Sequence, residues 1–130
     1  MNAICRSLIL AGITATATAA ANPRVSLTQN PLVMRLSKDE FRIAFGVSGE
    51  RCFAKGCHGA IRYQVRWRSE DGVTRLEVRL VDYTILEHSS RSIAVDRQYF
   101  DTAEGRHTTE VVAVNVVRIT CHEGTAPLVS

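Results

Sequence analysis

Apolar residues recur at every second position along most of this chain. Leu32, Met34 and Leu36 alternate with Val33 and Arg35, and Phe41, Ile43, Phe45 and Val47 alternate with Arg42, Ala44 and Gly46. Ile61, Tyr63, Val65 and Trp67 alternate with Arg62, Gln64, Arg66 and Arg68, and Leu76, Val78 and Leu80 alternate with Arg75, Glu77 and Arg79. A period of two belongs to a strand, whose successive side chains point to opposite faces of a sheet. Each segment therefore predicts a strand with one buried and one wet face. After Val81 the apolar set changes phase, to Val81, Tyr83 and Ile85, which predicts a bulge or a strand that switches sheets. Residues 91–100 fit a strand through Ile93 and Val95 or a short helix through Val95, Tyr99 and Ala103; the strand is the reading taken here. A polar loop around Gly105 follows, over 101–106. Residues 108–121 are rich in valine and apolar on both faces, which predicts a long central strand bent near Val116-Val117.

The segment 61–82 predicts a hairpin. Asp71-Gly72 suits a two-residue type I′ turn, which requires positive φ at both positions. That turn sets Trp67 opposite Leu76, Val65 opposite Val78 and Tyr63 opposite Leu80. Arg66 then meets Glu77 and Gln64 meets Arg79 on the other face. A slip of one residue would place Trp67 opposite an arginine.

About seven such strands in one short chain predict an all-β fold, a two-sheet antiparallel sandwich. Cys52 or Cys57, Trp67 and Cys121 follow one another in an order and spacing that resembles the Cys–Trp–Cys pattern of immunoglobulin domains. The resemblance implies an immunoglobulin-like sandwich and no particular activity. Two departures stand out: Cys52 and Cys57 lie in a glycine-containing loop, and Ile119 holds the position two before the last cysteine where that family has tyrosine.

The first 21 residues break the alternating pattern. Arg6 precedes an apolar run at 8–13, and small residues follow with Ala-x-Ala options at Ala17–Ala19 and Ala19–Ala21. This is the layout of a cleaved export signal, and it predicts a single mature domain over 22–130, secreted or periplasmic. Leu10-Ala11-Gly12 is followed by Ile13 and not cysteine, which argues against lipid attachment there. No later stretch approaches the ~20 apolar residues of a membrane span. Removing 21 of the 130 residues leaves 109, with 15 Lys and Arg against 13 Asp and Glu, too small an excess to imply nucleic acid. The chain ends at 22–24 and 123–130 are expected to fray.

Export makes a disulfide accessible to Cys52, Cys57 and Cys121. The preferred pairing joins the 52–57 loop to Cys121 and leaves one thiol over. A Cys57–Cys121 bridge would close a loop of ~64 residues and contribute ~3–4 kcal/mol. Pairing Cys52 with Cys57 would instead pin a local loop and leave Cys121 free. An odd count also leaves open a covalent dimer through the unpaired cysteine. His58 and His122 each directly follow a cysteine. That cluster supports an alternative reading as a small metal- or haem-binding protein: a Cys₃His zinc site from Cys52, Cys57, Cys121 and one of His58 or His122, or a C-x4-C-H haem attachment site over 52–58.

The predicted hairpin turns Arg62, Arg66, Arg68, Arg75 and Arg79 outward, countered by Glu77. Guanidinium groups bind oxyanions bidentately, so this face suits an acidic protein, an anionic glycan or a lipid surface. The same charges would also discourage edge-to-edge aggregation. Phe41, Phe45, Tyr63 and Trp67 have core parity. Phe53, in the cysteine loop, is expected near the surface, and with Lys55 and His58 it makes the 50–59 loop a second contact site. Catalytic groups are sparse. Cys57 could pair with His88 or His107, and Asp96, Asp101 and Glu104 form an acidic run, but Ser89-Ser90 has no nucleophile-elbow context and neither a phosphate loop nor HExxH occurs. The sequence therefore reads as an exported, non-enzymatic binding protein without a cofactor. Its expected sites are the arginine face and the cysteine loop.

Overall fold

The computed structural model describes residues 22–37, 40–69, 71–99 and 109–125. Residues 1–21, where an export signal is expected, the expected loop at 101–106 and most of the C-terminal tail lie outside the described residues. Eight strands follow one another: β1 (Arg24–Leu27), β2 (Leu32–Arg35), β3 (Glu40–Glu50), β4 (Cys57–Ser69), β5 (Thr74–Ile85), β6 (Arg91–Tyr99), β7 (Thr109–Ile119) and β8 (His122–Glu123). All pairings are antiparallel and form two sheets. Residues 91–99 are a strand, as the β-branched pattern indicates, and β1 is a strand where the sequence suggested only a loose start.

Each sheet is built on one long central strand. β6 pairs with β3 from Glu40 to Ser48, so β1 and β2 must share the other edge of β3. They form one interrupted strand, with Thr28 N–H donating to Gly46 O at 2.9 Å across the gap. In the second sheet β5 holds one edge of β4, and β7 followed by β8 holds the other. The spatial order β1/β2–β3–β6 against β5–β4–β7 corresponds to strands A-B-E and C′-C-F of an immunoglobulin-like sandwich. Strand G of that arrangement has no counterpart among the described residues. Among the described residues β7 is therefore an edge strand, and β4 takes the central place expected of β7.

The core lies between the odd positions of β3 and β4. Ile43, Phe45 and Val47 face Ile61, Tyr63, Val65 and Trp67, with Val25, Ala94, Tyr83 and Ile85 closing the margins. Phe41, Phe45, Tyr63 and Trp67 are all buried, in agreement with their parity. Tyr63 ties the layers together. Its ring lies 4.8 Å from that of Phe45, and its hydroxyl donates to the Asp96 carboxylate on β6 of the opposite sheet. Beneath it, the Tyr83 hydroxyl donates to Thr120 O at 2.7 Å, and burial raises the Tyr83 pKa well above the usual tyrosine range.

The hairpin register differs by one residue from the sequence expectation. Trp67 pairs with Arg75, Val65 with Glu77 and Tyr63 with Arg79, while Arg66 pairs with Leu76 and Gln64 with Val78. The cause is the turn. Ser69 N–H donates to Val73 O at 2.9 Å, so the loop is one residue longer than a type I′ turn allows. Asp71 caps it, accepting from Ser69 Oγ at 2.8 Å and from Val73 N–H at 3.1 Å. Gly72 takes φ +86°, the left-handed residue that closes such longer hairpins. In this register the odd positions of β5 face inward without a break. The expected phase change after Val81 is absent: Val81, Tyr83 and Ile85 continue the side that Arg75, Glu77 and Arg79 begin.

The irregularities fall on β7 instead. Its pairing with β4 shifts between Arg62 and Tyr63 and again between Arg66 and Trp67, which leaves Val117 and Val112 as unpaired bulge residues. Both valines are exposed. Bulges explain why this segment looks apolar on both faces, and the one at Val117 lies where the bend was expected.

Cys52 is bonded to Cys57. This corrects the preferred bridge from the loop to Cys121: the covalent link is local to the β3–β4 connection. Cys121 is disulfide-bonded as well, and no described cysteine is a free thiol.

Three variants test this architecture by denaturant unfolding. A Cβ at Gly59 would sit 2.0 Å from Thr120 O and 2.9 Å from the Tyr83 hydroxyl, so Gly59→Ala should cost about 3 kcal/mol. Gly72 meets nothing within 4 Å, so Gly72→Ala carries only the strain of positive φ and should cost about 1 kcal/mol. Replacing Cys52 and Cys57 together by serine opens a short loop and should cost about 2 kcal/mol, against about 4 for a long-range bridge.

Candidate functional site

The even positions of β4 and β5 form the outer face of the second sheet. On β4 they are His58, Ala60, Arg62, Gln64, Arg66 and Arg68; on β5, Leu76, Val78 and Leu80 lie beside the arginines. β7 adds Arg118 opposite Arg62, Ala113 opposite Arg66 and Glu110 opposite Arg68. This changes the composition of the expected arginine face. Arg62, Arg66 and Arg68 are on it, and Arg118, which sequence reasoning did not select, joins them. Arg75 and Arg79 are not on it, because the register turns them to the opposite side, where Glu77 lies 4.0 Å from Arg79.

An aliphatic column replaces the two missing arginines. Leu76, Val78 and Leu80 are 54, 52 and 65 % exposed. Exposed side chains of this size in an unbroken row are unusual on a solvated sheet. Of the adjacent cations, Arg68 pairs with Glu110 at 3.3 Å, while Arg62, Arg66 and Arg118 have no carboxylate partner among the described residues. Arg118 could be found from the sequence only by knowing that the bulge at Val117 resets the parity of β7.

The cysteine loop occupies one end of the sandwich. Cys52 and Cys57 are buried, and Phe53 and Lys55, in the turn between them, are exposed. Gly56 N–H donates to Cys52 O at 2.7 Å across the loop. Two other connections are fastened to it: His88 N–H donates to Phe53 O at 2.6 Å, and Gly124 N–H donates to Gly56 O at 2.8 Å. The Phe53 ring meets His88 edge-on at 5.3 Å, with His88 at φ +64°. Phe53 and Lys55 thus sit on a cross-braced platform some distance from the arginine column.

The disulfide also decides the cysteine chemistry. Haem attachment would need Cys52 and Cys57 as thiols, and a Cys₃His zinc site would need all three as thiolates; the disulfides remove both options. No group of three or more His, Cys, Asp or Glu side chains that could hold a metal occurs among the described residues. A thiolate at Cys57 acting with His88 is excluded for the same reason, and His107, Asp101 and Glu104 lie outside the described residues. Asp96 is engaged by Tyr63.

Val33 on β2 and Val111, Val112 and Val114 on β7 border an open groove of about 360 Å³ where the two sheets part. No described helix is long and apolar enough to cross a membrane. No protein-family model matches the chain, and no curated protein and no solved structure shows a significant similarity to it.

Proposed function

We propose that this chain is an exported, non-enzymatic binding protein that contacts an anionic amphiphilic surface through the outer face of β5, β4 and β7. The observation that supports this reading is the pairing of two columns. Arg62 and Arg66 lie directly across from Leu80 and Leu76, with Val78 between and Arg118 behind. Arginine forks bind phosphate oxygens, and an adjacent aliphatic row can enter the acyl boundary just beneath a headgroup layer. A purely ionic ligand would use the first column and leave the second in water. The reading of export rests on the layout of residues 1–21 and is compatible with a disulfide-bonded β-domain.

Sedimentation with vesicles tests it. The protein should bind phosphatidylglycerol-containing vesicles, bind pure phosphatidylcholine weakly, and lose affinity as salt rises. The double change Arg62→Glu and Arg66→Glu should weaken binding by at least about tenfold, at roughly 1 kcal/mol per basic residue near the surface. Leu76→Ser with Leu80→Ser should weaken it as well, while Arg75→Glu, on the other side of the sheet, should change it little. Equal binding to both vesicle types, or no effect of the Arg62 and Arg66 changes, would overturn the reading.

A further inference from the structure

His58 and His122 are far apart in sequence, yet β4 and β8 set them directly opposite each other. Cross-strand partners share one face of a sheet and bring their side chains within contact range. Their imidazole rings are stacked, with centroids 5.1 Å apart and planes inclined by 27°. Both residues are half-buried.

The second observation concerns which nitrogen of His58 is left over. Nδ1 of His58 lies 2.7 Å from Gly124 O. A carbonyl can only accept, so Nδ1 carries the proton of this bond. In the neutral ring the lone pair then resides on Nε2. A ring N–H held by a backbone carbonyl while the other nitrogen stays basic is the arrangement that orients metal-binding histidines and fixes their tautomer. The carbonyl is itself held in place: Gly124 N–H donates to Gly56 O at 2.8 Å, and Gly124 turns the chain at φ +93°. On the other side of His58, the disulfide fastens the preceding residue, Cys57. Both histidines therefore project from backbone that is paired, braced and cross-linked, so little order remains to be imposed when a ligand arrives.

We infer that His58 and His122 form a two-imidazole chelate for a divalent first-row transition metal, bound through Nε2 of His58 and a ring nitrogen of His122. Imidazole pairs take Cu²⁺, Ni²⁺ and Zn²⁺ and discriminate against Mg²⁺ and Ca²⁺, which demand oxygen ligands; among the former, Cu²⁺ binds tightest. Thr84 flanks His58 on β5 and brings no charge to the site. With no third His, Cys, Asp or Glu in position among the described residues, water completes the coordination and the site stays open to an external ligand. The site differs from the cysteine-based one considered from the sequence, since it uses no sulfur. It also does not depend on vesicle binding by the arginine face.

Metal alone is the probe. Full-length protein, treated with chelator and dialysed, is titrated with Cu²⁺, Ni²⁺, Zn²⁺ and Mg²⁺ by calorimetry, with thermal unfolding and histidine NMR signals as parallel readouts. The expected result is one equivalent of Cu²⁺ with a raised unfolding temperature and shifts at His58 and His122, weaker Ni²⁺ and Zn²⁺ binding, and none for Mg²⁺. His122→Gln leaves the His58–Gly124 bond intact and should lower Cu²⁺ affinity at least tenfold with the far-ultraviolet circular dichroism unchanged; His58→Gln should do the same, and His88→Gln should not. Absence of saturable binding, equal binding of Mg²⁺, or unchanged affinity in His122→Gln would overturn the proposal.

Discussion

The turn between Ser69 and Val73 sets the identity of both faces of the second sheet. Side-chain direction along a strand has a period of two, so one residue more or less in the loop inverts every position of β5 relative to β4. Asp71 and Gly72 hold the longer loop, through two hydrogen bonds to the Asp71 carboxylate and a left-handed backbone at Gly72. Tyr83 and Ile85 consequently enter the core, while Leu76, Val78 and Leu80 are driven outward. Core formation and the exposed aliphatic column are two results of one register.

That register also explains why exposed leucines and valines can persist here. Tyr83 and Ile85 pack against the fixed interior of β4, and Tyr83 spends its hydroxyl on Thr120 O. Moving the strand by one residue to hide Leu76 and Leu80 would expel those two buried side chains and bury Asp82 and Thr84 in their place. The proposed contact face is thus a consequence of optimising the other end of β5. Arginine on the neighbouring strand flanks the exposed row.

At the opposite end, three connections converge on a short disulfide loop. Gly56 bonds to Gly124, Phe53 to His88, and His58 to Gly124, so the three loops are tied to one another. A chain with a small core gains order there without adding apolar volume. The same bracing brings His58 against His122, a proximity that follows from β8 pairing with β4 after the chain steps across Gly59.

Much of the fold is legible in the chain itself. Alternation alone identifies β3, β4 and the inward parity of Phe41, Phe45, Tyr63 and Trp67, because burial of one strand face imposes a period that no other structure imitates. It also yields the two-layer architecture. The outward arginines of β4 follow directly, and Arg62, Arg66 and Arg68 hold their expected places. Composition could not decide which side of β5 joins them: Leu76, Val78 and Leu80 are apolar enough to be core, and only the loop geometry shows that they are not. Arg118 was hidden for a similar reason, since a bulge at Val117 resets parity in a way that strand periodicity does not encode. The cysteine pairing and the His58–His122 contact depend on residues brought together from distant parts of the chain. Sequence determined the local period and hence the elements; tertiary structure decided register, pairing and face, because these are settled by which neighbouring strand completes the hydrogen bonds and which buried group would otherwise lose its partner.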